Sequence, residues 1–143
     1  MILSLEEIKK LIPHRYPFLL IDNCKIIKAG EKGIGYRKFL PDEYFFKGHF
    51  PNNPIVPGVI MIEALAQTAG AIVSHNLNLN REKTVLFMSI SNAKFRKPVY
   101  PNDEISFEVS LSNRIKSAYK FYGEAKRFEE KVCEAFFTAM IIE

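Results

Sequence analysis

The chain predicts an α+β fold: one long buried helix wrapped by a curved antiparallel sheet. Three observations carry this. The stretch VIMIEALAQTAGAIVS, from Val59 to Ser74, is Ala-rich, free of proline and apolar almost all round. It is too long for an ordinary strand, so it reads as a helix, and a helix without a polar face is an interior one. From Thr84 onward the chain reads as strand after strand, with strict alternation in EISFEVSL, Glu104–Leu111. A helix apolar on every side has to be covered on every side, and a curved sheet is the economical cover. One sheet covers only part of it, so a second subunit is expected to cover the rest.

The elements follow in order. SLEEIKKLI opens at Ser4 with Glu7 three residues on, a capping-box pattern. Leu5, Ile8 and Ile12 share one face of this short helix, and Pro13 stops it. An extended segment begins at about Phe18. Gly30, Gly33 and Gly35 punctuate the next extended run, which ends near Pro41. A loop from Pro41 to Pro57 follows, with Pro51, Pro54 and Pro57 in close succession. Pro57 suits a first helical turn, and the long helix is expected from there to about His75, with a polar exit over Asn76–Asn80. Strands are then expected over TVLFMSISNAKFRKP, from Glu104, over AYKFYGEAKRF and over KVCEAFFTAMII, with a turn at Pro98–Asp103. The total is about five or six strands, mostly antiparallel. With 143 residues and no repeat or linker, residues 1–143 are read as one domain.

Composition narrows the function classes. Apolar residues make up 48% and charged residues 25%, the balance of a soluble globular protein. No window holds the roughly 18 consecutive apolar residues of a membrane span, so no membrane partner is expected. No basic-then-apolar leader opens the chain, which points to a cytoplasmic protein. Cys24 and Cys133 stand apart from each other and from histidine clusters, so they are read as reduced, packed thiols, and a structural zinc site is not expected. The net charge of +4 is modest and scattered. A nucleic-acid footprint would need a basic stripe with exposed aromatics or a recognition helix, and a mildly basic surface suits an acidic protein partner equally well, so charge alone decides neither.

Chemistry concentrates in GHFPNNPIVPGVIMIEALAQ, Gly48–Gln67. Glu63 is the sole Asp, Glu, Lys or Arg between Lys47 and Arg81. An ionised carboxylate buried without partners is costly, so its isolation marks a candidate site. A bland alternative is a pairing with a distant lysine or a wet interface. His49 lies 14 residues earlier in a loop, and of the three histidines it is the first choice for a base, since imidazole titrates at about pH 6.5. Gly58 falls at the predicted helix start, where backbone N–H groups lack intrahelical acceptors and glycine permits close approach. Such an amide can receive a developing oxyanion. Base, acid and oxyanion donor are the parts needed to remove a proton beside a carbonyl and expel a β-hydroxyl.

These motifs carry a resemblance. HRYPFLLID, GHFPNNPIVPGV, IEALAQ, FRKPVYPND and KVCEA, in that order, are similar to the (3R)-hydroxyacyl-[acyl-carrier-protein] dehydratases of bacterial type II fatty acid synthesis, which have the hot-dog fold. The resemblance spans nearly the whole chain. It implies that His49 is the catalytic base, Glu63 the acid, and Gly58 the amide that holds the thioester carbonyl. It implies an active site at a dimer interface, with histidine and acid from different subunits, and assembly as a trimer of dimers. The implied substrate is an acyl thioester carried on acyl carrier protein, and no metal or organic cofactor is implied. Lys94, Arg96 and Lys97 are read either as the contact for an acidic carrier or as solvated strand charge. Tyr100, Tyr16 and Phe18 are read either as tunnel residues or as core aromatics. The chain departs from the family at Asn52 and Asn102, where glycine is common, and at Ser89-Ile90-Ser91. Asparagine tolerates positive φ, so those turns are expected to survive.

Rival readings are a hot-dog thioesterase, in which Glu63 activates water, and an acyl-binding module without turnover. A nucleic-acid binder is a weaker fourth.

Overall fold

The computed structural model describes residues 1–77 and 84–142. Seven strands form one antiparallel sheet: β1 (Ile2–Leu3), β2 (Asn23–Lys28), β3 (Lys32–Lys38), β4 (Thr84–Phe95), β5 (Glu104–Ile115), β6 (Ala118–Arg127) and β7 (Glu130–Ile142). Their order is β1-β2-β3-β5-β6-β7-β4. Two helices accompany them, α1 (Leu5–Lys9) and α2 (Gly58–Leu77). The sheet has more strands than expected because β1 is a two-residue pairing, Ile2 with Lys25 and Leu3 with Cys24, too short to show a period. The segment after Phe18 joins the sheet only at Asn23, although Leu19, Leu20 and Ile21 are all buried.

The capping box forms as expected. Ser4 N–H donates to Glu7 Oε1 at 3.1 Å and Glu7 N–H donates to Ser4 Oγ at 3.2 Å. The Ser4 backbone N–H, and after it the Ser4 hydroxyl, hold the Glu7 carboxyl below its ordinary range. Ile8 in α1 and Ile12 beyond its end are buried, but Leu5, the first residue of the helix, is exposed.

α2 is the interior helix. Its residues from Ile60 to Ser74 are buried, apart from Glu63. By length and composition it would pass for a membrane span, but it is a core helix here. The strands beneath it alternate as the period of two requires: Ile105, Phe107 and Val109 face the helix, while Ser106 and Glu108 face away. Two glycines of β3 let α2 settle onto the sheet. A Cβ on Gly33 would come within 2.6 Å of Ile72 Cγ2, and one on Gly35 would run into Thr68 Oγ1. Phe39, Phe107, Phe121 and Phe137 are fully buried. Each such ring contributes about 1.5–3 kcal/mol, more than a surface ion pair supplies. α2 runs through Leu77, past the predicted end at about His75. The expected polar exit lies outside the described residues from Asn78 onward.

The face of the sheet away from α2 carries a chain of alternating charge. Lys32 pairs with Glu108, Glu108 with Lys126, and Lys126 with Glu124. Glu124 pairs with Lys131, Lys131 with Glu134, and Glu134 with Arg96. β4 departs from the alternation. It is the sheet's outer strand, bonded to β7 alone, and all its residues but Val85 are exposed. Leu86, Phe87, Met88, Ile90 and Phe95 are therefore large apolar side chains facing solvent along an open edge.

Candidate active site

His49 sits in a loop held at both ends. Before it, a 3-10 turn at Tyr44–Lys47 buries Phe45 and Phe46, with ring centroids 4.8 Å apart. Arg37 of β3 ties this turn to the sheet. Its Nη2 donates to both oxygens of Glu43 at 2.7 Å, and its Nη1 reaches Asp22 at 3.0 Å. His49 N–H then donates to Phe45 C=O at 3.1 Å. After it, the chain folds back. Ile55 N–H donates to His49 C=O at 2.9 Å, and His49 Nδ1 lies 2.8 Å from Ile55 C=O. A carbonyl oxygen only accepts, so Nδ1 carries the proton and Nε2 keeps a bare lone pair. The Phe50 ring stacks on the imidazole at 4.1 Å. The His49–Phe50 peptide is cis.

Gly58 is the first residue of α2. The Phe95 ring, at the end of β4, lies directly over it, and a Cβ at position 58 would run into that ring. At this helix start Ile60 N–H donates to Pro57 C=O at 3.0 Å, while Gly58 N–H, as the first of the helix, has no acceptor within it. His49, Gly58, Met61, Phe95 and Lys97 line one cleft of about 510 Å³. The two residues expected as base and oxyanion donor thus line one hollow.

Glu63 is not on that cleft. Five residues beyond Gly58 on an α-helix is about 140° around the axis, so the Glu63 side chain leaves α2 on a different side. The Glu63 side chain is 19% exposed. Its Oε2 accepts from Gln67 Nε2 at 2.9 Å and lies 3.4 Å from His14 Nε2. Gln67 is itself fully buried. Its Oε1 accepts from Leu20 N–H at 2.8 Å and its Nε2 donates to Phe18 C=O at 2.8 Å. The two neighbours of Glu63 were not singled out by the sequence. Gln67 stands four residues on, the same-face spacing of a helix, so IEALAQ held the signal. His14 had none, since its contact crosses 49 positions.

The basic cluster divides. Arg96 is committed to Glu134 at 2.8 Å, whereas Lys94 and Lys97 form no ion pair among the described residues. Tyr16, Phe18 and Tyr100 are all exposed, so none is a core ring. Asn102 adopts φ 71, the left-handed turn that glycine favours, while Asn52 is not in that region. Cys24 and Cys133 are free and buried, and burial pushes both thiols up to about 12. Among the described residues, no three His, Cys, Asp or Glu side chains converge as a metal site. A second hollow of about 570 Å³ lies on the outer face among Arg37, Glu108 and Lys126, and holds none of the predicted groups.

A helix sheathed in an antiparallel sheet defines the class as hot-dog proteins. The chain belongs to the FabA-like family, whose model matches residues 12–135. It is 44% identical to the 3-hydroxyacyl-[acyl-carrier-protein] dehydratase FabZ of Caulobacter sp. (strain K31), over 99% of this chain and 87% of that one. It is 46% identical to the enzyme of the same name from Gluconobacter oxydans (strain 621H), over 95% and 81%. Among solved structures, the dehydratase heterocomplex ApeI:P from Xenorhabdus doucetiae superposes with a TM-score of 0.77 at 13% identity, over 93% of this chain and 89% of that one. That likeness is one of fold.

Proposed function

We propose that the protein reversibly dehydrates (3R)-3-hydroxyacyl thioesters carried on acyl carrier protein to trans-2-enoyl thioesters, in fatty acid elongation. His49 Nε2 takes the α-proton. The Gly58 N–H receives the charge that develops on the thioester oxygen. The C–O bond breaks as Glu63 delivers a proton to the leaving hydroxyl, which departs as water. Solvent returns the proton from His49 to Glu63. Each step is run by side chains and backbone, with no metal or organic cofactor assigned.

The observation that carries this reading is the held imidazole: its Nδ1 is committed to Ile55 C=O, which leaves Nε2 of the neutral ring as the acceptor, and His49 lines one cleft with Gly58. The placement of Glu63 on another side of α2 supports an acid supplied by a second subunit. So does β4, whose apolar, open edge suits pairing with a copy of itself. The site is then shared across a dimer built from one hot-dog domain per chain. Three dimers assemble into a hexamer in the cytoplasm. Lys97, on the cleft rim, meets the acidic carrier.

The test is a spectrophotometric hydration assay with crotonyl thioester on wild type, His49→Ala and Glu63→Gln. Both variants should be inactive alone, and mixing them under exchange conditions should restore turnover, since a mixed dimer keeps one intact site. Full activity of His49→Ala would overturn the reading. Inactive variants that never complement would overturn the shared site. Release of free thiol instead of loss of the enoyl absorbance would favour a thioesterase.

A further inference from the structure

The carboxylate of Glu63 is approached on one oxygen only. Gln67 Nε2 and His14 Nε2 both converge on Oε2, and Oε1 has no hydrogen-bond partner among the described residues. The two donors are anchored independently. Gln67 is fixed from inside by Leu20 N–H and Phe18 C=O. His14 belongs to the strap between α1 and β2, and its backbone C=O accepts from Arg15 Nη1 at 2.7 Å. The same guanidinium also reaches Ile12 C=O and Lys9 C=O, each at 2.9 Å, which sets the path of the strap.

The His14 ring is asymmetric. Its side chain is 14% exposed, and Nδ1 is buried without a partner. A proton on Nδ1 would make a buried donor with no acceptor, which is unfavourable. The neutral ring therefore carries its proton on Nε2, the nitrogen that faces Glu63. That turns the His14 N–H toward Oε2 at 3.4 Å, a longer approach than the 2.9 Å hydrogen bond from Gln67, so N–H groups from two different parts of the chain face this oxygen.

The geometry points to His14 as a positioning residue that decides which oxygen of Glu63 does the chemistry, an inference that rests on Glu63 being the acid of the proposed dehydration. An oxygen that accepts the Gln67 N–H and faces the His14 N–H at 3.4 Å is a poor place for a proton, because an O–H there would face two donors. Protonated Glu63 therefore carries its hydrogen on Oε1. As the C–O bond of the substrate breaks, the Oε1 proton passes to the departing hydroxyl and forms water. The carboxylate left behind keeps its Oε2 contacts, so the conjugate base is stabilised at the moment it forms. His14 touches no reacting atom and acts through Glu63.

The test compares His14→Phe, which keeps a ring without the N–H, with His14→Gln, whose amide nitrogen reaches as far as Nε2. Wild type, His49→Ala and Glu63→Gln are assayed alongside on the full chain with crotonyl thioester. His14→Phe should lower kcat on the order of 10²-fold with KM unchanged, the cost of a misplaced reacting group. His14→Gln should recover most of that loss, with both variants folded by circular dichroism. A Phe variant with wild-type kcat, or Phe and Gln variants equally impaired, would refute the inference. The histidine ¹⁵N spectrum of wild type provides a check that needs no variant. It should show His14 protonated at Nε2, and a proton on Nδ1 alone would refute the inference as well. If Glu63→Gln retains turnover, the acid assignment itself fails. If Glu63→Gln is inactive while His14→Phe is fully active, only the positioning role fails.

Discussion

Replacing Gln67 by methionine is the most informative single perturbation of the folded state. The two side chains are nearly the same length, so the cavity term is small and the polar term stands alone. Gln67 satisfies three groups: Leu20 N–H, Phe18 C=O and Glu63 Oε2. They are not equal. Leu20 is fully buried, whereas Phe18 is exposed and Glu63 keeps some access to water. The Leu20 N–H would be left unpaired at a cost of about 1–3 kcal/mol, and the two rewetted acceptors would lose about 0.5–1.5 kcal/mol each at most. The expected destabilisation is about 2–6 kcal/mol, a large share of the roughly 5–15 kcal/mol that holds a domain together. The assay is urea unfolding at equilibrium, with protomer concentration held constant because association would add to stability. Gln67→Glu should be worse, since it sets a second carboxylate against Glu63 and Phe18 C=O. A Gln67→Met loss below about 1 kcal/mol would mean that Leu20 N–H finds water, and would refute the account of Gln67 as the anchor of Glu63.

Three further outcomes are expected. Gly35→Ala should destabilise by about 1–3 kcal/mol through overpacking against Thr68, whereas Gly48→Ala, with nothing near the added methyl, should be close to neutral in thermal melting. Cys24 and Cys133 should resist a thiol reagent at pH 8 in the native protein and react fully once it is unfolded, because both are buried and held up to about 12. Glu134 is held down to about 2 from 4.5, first by its hydrogen bond from Arg96 and then by Lys131. A depressed carboxyl stabilises the fold above its unfolded value, and that contribution is lost as the pH falls from 4.5 toward 2. Glu134→Gln should therefore be less stable than wild type at neutral pH, and the gap should narrow across that acid window in denaturant melts.

What could be read in the sequence was local or compositional. α2 announced itself because a long apolar run without proline has one regular solution, and the Ser4–Glu7 cap because its spacing is fixed by a single turn. Glu63 stood out through isolation, Gly58 through its place at a helix start, and His49 as a loop histidine 14 residues before Glu63. Contacts made across the fold left no such trace. His14 meets Glu63 only because the strap after α1 is laid against α2, and β1 exists only because two residues fall beside β2. Leu5 shared the apolar spacing of Ile8 and Ile12, yet as the first residue of the helix it is exposed. β4 was legible as a strand from its residue types, but its exposure was not, since period-two patterning says nothing about which strand ends up at an edge.

The row of alternating charges on the outer face has a consequence for how this surface can change. Every inner member of the row has a neighbour of opposite sign on each side, so reversing Lys126 alone would set three carboxylates side by side. Substitutions there should be tolerated in compensating pairs and resisted singly, and because the row ends at Arg96, it runs from β3 and β5 to the rim of the cleft that holds His49 and Gly58.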